Sequence, residues 1–329
     1  MKAIDRLLEC KGDGEQKTFD LHCPTVSVLM AVYNTERFLE RAVESILQQS
    51  FRDFELVILD DGSTDRSLSI LRRYAAQDQR IRLISRENRG IPQTRNELLR
   101  EARGEFIAVM DSDDVALPDR LARQVAFLQQ SPEVVWVGGA FELIDRGGRL
   151  ITKIPLAEQD SEIKALLQDG HISFLHPTAL IRRSAVLQVG GYDESLPLAE
   201  DLDLWLRLGE IGALANLPEP VVQYRLHGNS ICDRYQGLPP QAVQTALDRA
   251  WQKGMIREKP QVTMVCAWRP KPDRPSRHAF ALKYGWWAFS NRQRQTAIRY
   301  GIQAIVLNPG SIESWNLLAC ALIKPFPAS

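Results

Sequence analysis

Asp111 and Asp113 stand two residues apart where an apolar run, Gly104 to Met110, gives way to the polar cluster Asp111-Ser112-Asp113-Asp114. In a turn beyond a strand, both carboxylates can point into one crevice. Two such groups repel and resist ionising unless a cation lies between them. Oxygen ligands with open water positions suit Mg2+ or Mn2+, and such an ion can bridge a diphosphate. The same acids also suit the lead-in to a helix starting at Pro118, where negative charge complements the helix dipole. A second pair, Glu200-Asp201, precedes a helical pattern of Leu204, Trp205 and Leu208. It reads equally as a helix cap or as a general base that takes the proton of an attacking hydroxyl. His227, after Tyr224-Arg225-Leu226, is a candidate third metal ligand or an incidental surface histidine. Asp60-Asp61-Gly62-Ser63 reads as a turn with a helix cap.

These residues need elements to carry them. Val26 to Val32 is a continuous apolar, β-branched run, as expected of a strand buried on both faces of a parallel sheet. Glu36 to Gln49 then has helical spacing at Phe38, Leu39, Val43, Ile46 and Leu47. The unit repeats: strand Phe54 to Asp60, helix Arg66 to Gln77 capped by Thr64 or Asp65, strand Ile81 to Ile84, helix Pro92 to Ala102, strand Gly104 to Met110. Such alternation implies right-handed βαβ units on a parallel sheet, with ligands beyond the carboxyl ends of the strands. Three strands end in polar clusters (Tyr33-Asn34, Asp60-Asp61 and Asp111 to Asp114), and all three are expected to line one crevice. A helix Pro118 to Gln130 and a strand Val134 to Ile144 follow, with a turn at Gly147-Gly148. The pattern then loosens until strands at Thr178 to Arg182 and Val221 to Arg225.

Residues 1–23 read as an irregular leader, 24–238 as one α/β domain, and 239–329 as a helical region broken at Arg269 to Arg277. Gly285, Ala297, Ala304 and Pro309 fall at the spacing of a tetratricopeptide-type hairpin, which alone cannot bury its own apolar face. Trp315 to Ile323 is apolar but far shorter than the ~20 residues of a membrane span. It reads as a buried terminal helix, the alternative being a position on a membrane surface. The 41 basic and 41 acidic residues cancel, so overall charge offers no argument for nucleic acid. Five scattered cysteines without C-x-x-C spacing indicate reduced thiols in a cytosolic chain. No G-x-G-x-x-G or G-x-x-x-x-G-K-[ST] follows the first strand, which disfavours dinucleotide binding and P-loop chemistry.

Val26 to Asn34, Asp60 to Asp65, Arg95-Asn96, Asp111 to Asp114 and Ala199 to Trp205 occur in the order seen in family 2 glycosyltransferases, which this chain resembles over about residues 24–232. The resemblance implies a GT-A fold, a Rossmann-like mixed sheet flanked by helices, here with a C-terminal helical appendage. It implies an inverting, metal-dependent transfer of a sugar from a nucleotide-sugar to a hydroxyl. Ala31, Tyr33 and Asp61 match nucleotide-contacting positions, Asp61 matching the carboxylate that accepts from the uracil ring nitrogen. Arg95 matches a basic position near the nucleotide-sugar and Asp111 the ribose- or sugar-facing acid. Asp113 matches the metal ligand, Asp201 the general base of the Glu200-Asp201 motif, and His227 a histidine of the metal–diphosphate site.

On that resemblance the expected cofactor is Mn2+ or Mg2+, the donor a UDP-sugar, and the acceptor a saccharide or lipid-linked hydroxyl of the cell surface. The expected location is the cytoplasm, with peripheral association at the inner membrane face. The loop Leu226 to Gly237, with glycine near each end, is expected to close over the donor. A nucleotidyltransferase would instead carry a Gly-rich basic loop where Tyr33-Asn34-Thr35-Glu36-Arg37 stands. The non-enzymatic alternative is a degenerate transferase domain that binds a nucleotide-sugar or a partner.

Overall fold

The computed structural model describes residues 23–168, 174–196, 198–228, 240–256 and 270–326. The leader and most of the expected closing loop lie outside the described residues. Nine strands form one mixed sheet: β1 (Val26–Val32), β2 (Phe54–Asp61), β3 (Ile81–Arg86), β4 (Phe106–Asp111), β5 (Val115–Ala116), β6 (Val134–Ile144), β7 (Leu150–Ile154), β8 (Leu180–Arg182) and β9 (Ala213–Arg225). Their order is β3-β2-β1-β4-β8-β6-β9-β5, with β7 pairing β6. The first four strands are parallel, as the βαβ pattern requires, while β8, β7 and β5 run antiparallel to their neighbours.

Alternation along the buried strands supplies a core on each face. Val28, Met30 and Val32 pack with Val43 and Ile46 of α1 (Leu39–Leu47) and Leu121 and Val125 of α4 (Arg120–Gln130). Leu29, Val57 and Val109 face the other way. They share a core with Leu98 of α3 (Ile91–Glu101), Ile163 of α5 (Asp160–Gln168) and Trp205 of α7 (Glu200–Ile211). Two further helices, α2 (Ser67–Gln77) and α6 (Arg183–Gln188), complete the flanks. The chain after 239 continues this body: α8 (Pro240–Gln252) adds Val243, Ala246 and Leu247 to the core shared with Trp205.

The structure departs from the sequence reading in the middle of the chain. β9 begins at Ala213, eight residues before the expected Val221. Pro218 and Pro220 conceal it, because proline cannot donate to a ladder. A bulge resolves the conflict: Gly139 pairs Leu217 and Ala140 pairs Pro220, leaving Pro218 and Glu219 out of register. β8 is shorter than Thr178 to Arg182, since His176–Thr178 form a 3-10 turn. β7 and α5 occupy the stretch that had no clear period, where Ile163 and Leu167 bury one face of α5.

α9 (Arg274–Ser290), α10 (Arg294–Leu307) and α11 (Ile312–Ile323) follow. Ala281, Leu282, Tyr284, Tyr300 and Leu317 pack against Phe141, Leu143 and Ile151 of β6 and β7, so these helices lean on the sheet edge. Gly285 is a required close approach, since a Cβ there would lie 2.4 Å from Leu317 Cδ2. The expectation of a buried terminal helix holds for only one face of α11. Leu317 and Ala321 are fully buried, while Trp315, Leu322 and Ile323 are exposed.

Trp205 anchors the helix that bears Glu200 and Asp201: it is 2% exposed and meets Phe174 at 5.2 Å and His176 at 5.9 Å between ring centroids. Trp205→Ala is expected to cost about 3–5 kcal/mol by transfer and cavity terms. Urea unfolding followed by circular dichroism measures it.

Candidate active site

The carboxyl ends of β1, β2 and β4 converge because their registers align: Ala31 sits opposite Leu59 on one side and Asp111 on the other. The loops beyond are locked together. Asn34, in the left-handed region at φ 54°, accepts from Thr64 N at 2.8 Å and Asp65 N at 3.3 Å. In return Ser63 Oγ accepts from Asn34 N, Ser67 Oγ from Thr35 N, and Asp65 from Glu36 N. Asp65 also accepts from Ser67 N at 2.8 Å in a local turn, but the N-cap of α2 is Arg66, not the expected Thr64 or Asp65. Six turn residues are thus spent on one rigid wall of the crevice.

Asp61 is 5% exposed and held by three donors: Arg86 Nη1 and Arg89 N on Oδ1, and Gly90 N on Oδ2. An ionised carboxylate has about four acceptor positions, so one is left on Oδ2. Tyr33 is 40% exposed at the rim.

Arg95, on α3, is the hub of the other wall. It donates to Glu200 Oε1 at 2.5 Å, lies 3.8 Å from Asp111 Oδ1, and stacks over the Tyr192 ring at 5.5 Å. Ala31, Arg95, Asp111 and Tyr192 line one small pocket with Leu29, Leu98, Val109 and Met110. Tyr192 in turn bonds His176 Nε2 at 2.9 Å through its hydroxyl. Tyr192 escaped the sequence reading. Its signal was Gly190-Gly191, both at positive φ (82° and 73°), a turn that aims the next side chain inward.

Glu200 and Asp201 open α7, whose N-cap is Ala199 at φ 66°. A non-glycine residue there is strained by roughly 1–2 kcal/mol, and this backbone presents the two acids that follow. Neither acts as the N-cap. Glu200 pairs with Arg95, and Asp201 Oδ1 accepts from Leu202 N at 2.8 Å within the first turn. Burial raises Glu200 to about 7, against Arg95 and with Asp201 adding to the rise. Burial likewise raises Asp201, against Arg95.

A folded-state value above the usual 4.5 means the folded chain holds a proton that the unfolded chain releases between those pH values. Stability from this group is therefore full below about pH 4.5 and lost as pH rises through about 7. Glu200→Gln should flatten that part of the stability–pH curve in denaturant titrations from pH 4.5 to 8.

One oxygen from each of Asp111, Asp113 and Asp114 lies within 4.8 Å of the others. His227 Nε2 meets Asp113 Oδ2 at 2.7 Å, and the histidine is buried at 8% exposure, contrary to the surface alternative. Its ring meets Phe38 at 4.5 Å between centroids, tilted by 45°. Arg225 braces the turn from behind, donating from Nε to Asp113 O at 2.7 Å and from its backbone N to Asp114 Oδ1 at 2.8 Å. Asp114 Oδ2 is buried without a hydrogen-bond partner among the described residues. Burial and the neighbouring Asp113 and Asp111 push Asp114 well above the ordinary carboxylate range. Three crowded acids, one oxygen unsatisfied, and an imidazole fit a hard divalent cation such as Mg2+ or Mn2+.

The expected site residues therefore fall into two groups. Ala31, Arg95 and Asp111 line one pocket, Glu200 and Asp201 act on its Arg95, and Asp113, clustered with Asp111, bonds His227. Asp61 and Tyr33 stand on the opposite wall at the ends of β2 and β1.

The family model described as "Glycosyl transferase family 2" matches residues 27–190. A putative glycosyltransferase of Bacillus subtilis, EpsE, is 37% identical over 211 residues, covering 61% of this chain and 73% of the relative. The O-antigen biosynthesis glycosyltransferase WbnJ of Escherichia coli is 32% identical over 209 residues, covering 62% and 81%. Among solved structures, S. aureus TarS 1-349 in complex with UDP-GlcNAc superposes with a TM-score of 0.57 at 18% identity, covering 91% of this chain and 88% of that one. The mannosyltransferase PcManGT of Pyrobaculum calidifontis in complex with GDP-Man and Mn2+ gives 0.53 at 22% identity, covering 93% and 82%. The mixed sheet flanked by helices is the GT-A arrangement, and the chain belongs to the family 2 glycosyltransferases.

Proposed function

We propose that this glycosyltransferase moves a sugar, with inversion, from a UDP-sugar to a saccharide or lipid-linked hydroxyl during cell-surface polysaccharide synthesis. The observation that carries the reading is Arg95, a buried guanidinium shared by Glu200, Asp111 and Tyr192 between the metal-type cluster and the Asp201 carboxylate. Relatives named for O-antigen and amylovoran biosynthesis support the process, and solved neighbours holding UDP-GlcNAc and GDP-Man support the donor class.

In this reading Asp61, fixed by three donors with one acceptor position spare, receives the ring N–H of uracil. Tyr33 covers the base from the rim, and Ala31, lacking bulk, leaves room beside Asp111 for the ribose. Asp113 and His227, with Asp111, would hold Mn2+ or Mg2+. When bound, such an ion offsets charge on the departing diphosphate. Arg95 steers the sugar and keeps Glu200 from competing for the proton. Asp201 accepts the proton of the acceptor hydroxyl, whose oxygen attacks the anomeric carbon opposite the leaving group. One displacement inverts that centre.

The test is product stereochemistry. With α-linked UDP-sugars, Mn2+ and a panel of lipid-linked and free saccharides, proton NMR should show β-linked product and released UDP. An α-linked product would overturn inversion, and transfer from GDP-sugars alone would overturn the uracil assignment.

A further inference from the structure

Helix α11 is rich in apolar residues, yet only half of it is covered. Ser314, Leu317 and Ala321 turn inward and are fully buried. Ile312, Trp315, Leu322 and Ile323 turn outward at 76%, 53%, 57% and 82% exposure. Their spacing of three to four residues, with Ala319 and the amide of Asn316 exposed among them, makes one largely apolar stripe. A contiguous exposed apolar patch of this kind marks an interaction surface. α10 adds Ile302 and Val306, exposed by 50% and 68%.

The charge of this region is equally one-sided. Residues 270–326 contain eight Lys and Arg against two acids, Asp273 and Glu313, in a chain whose formal net charge is zero. The basic groups stand beside the exposed apolar ones. Arg274 donates to the carbonyls of Val306 and Leu307 at 3.3 and 2.6 Å. Arg294 donates to the carbonyls of Ala321 and Lys324 at 2.6 and 2.8 Å, next to Leu322 and Ile323. Trp315 keeps its indole N–H on Pro309 O at 2.9 Å, so its ring is oriented while half exposed.

We infer that the outward face of α10 and α11 docks on the surface of an anionic lipid bilayer. Apolar side chains would enter the acyl boundary while Arg274, Arg294 and Lys324 meet anionic headgroups. Charge chooses this occupant: a continuing helical repeat or a second copy of the chain needs the apolar stripe but gains nothing from the basic groups beside it. No helix among the described residues is long and apolar enough to cross a membrane, so the contact is an in-plane one. The inference stands apart from the donor-site chemistry, since none of these residues touches that site.

Flotation of the full chain with vesicles decides it. The chain should float with vesicles of about 30% phosphatidylglycerol in phosphatidylcholine and remain behind with phosphatidylcholine alone. Raising salt to about 0.5 M should weaken binding tenfold or more, because each basic group contributes roughly a fivefold factor that salt screens. Trp315→Ser with Ile323→Ser should lower binding at least tenfold without moving the thermal midpoint or the activity on a water-soluble acceptor. Lys324→Gln should lower binding severalfold at low salt, also without moving the thermal midpoint. Failure to float with anionic vesicles, or equal flotation of wild type and a folded apolar variant, overturns the inference. A wild-type dimer that becomes a monomer in the apolar variant, by light scattering, overturns it in favour of self-association.

Discussion

Asp201→Asn should lower kcat by about 10²–10⁴-fold, the range that a positioned general base supplies, and leave donor affinity nearly unchanged. The amide is isosteric and its oxygen can still accept from Leu202 N, so the first turn of α7 is preserved. What is lost is the capacity to take a proton. Burial already disfavours the ionised carboxylate at this position, so the neutral amide should keep or slightly raise the thermal midpoint. Steady-state kinetics beside a melting curve separates the two effects. A variant that melts early and is inactive would speak for a structural role; one that is stable and slow speaks for the base. Slow transfer of the sugar to water provides the same comparison without a known acceptor.

Asp113→Ala should act on a different step. Asp113 shares its carboxylate with His227 and stands within the cluster completed by Asp111 and Asp114. On the proposed reading, removing it takes away a metal ligand, and it leaves His227 Nε2 without the Asp113 carboxylate. The Mn2+ concentration needed for half-maximal activity should rise by about tenfold or more, and kcat/KM should fall by about 10²–10³-fold, as when one group that stabilises developing charge is deleted. Excess Mn2+ should recover part of the loss in this variant and none of it in Asp201→Asn. That contrast distinguishes a metal ligand from a base, and activity alone would not.

How far the site could be read from sequence depended on where each residue stands. Asp61 and Asp111 end apolar strands, and Asp113 follows two residues later. A buried strand read from composition places whatever comes after it at the rim of the sheet, which is why the crevice of β1, β2 and β4 was legible. Glu200 and Asp201 were visible as acids at a helix start, but their separate contacts were not. The partner that divides them, Arg95, lies 105 residues away, and only the packing of α3 against β1 brings it there. Tyr192 was missed for the same reason, its contacts being with Arg95 and His176 rather than with chain neighbours. β9 hid behind Pro218 and Pro220, a local rule overruled by a bulge that the pairing with β6 tolerates. The exposed stripe of α11 was opaque because periodicity reports that a helix is apolar and not which faces find cover.

The most direct measurement is a thermal-shift panel on the wild-type chain with UDP-, GDP- and dTDP-sugars, each with Mn2+ and with a chelator. A ligand at about 100 times its dissociation constant adds about 2.7 kcal/mol of stability, which a melting curve resolves readily. Stabilisation by UDP-sugars with Mn2+, abolished by the chelator, is the predicted result. No shift with any nucleotide-sugar, or a shift indifferent to the chelator, would contradict a metal-assisted donor site at Asp111, Asp113 and His227.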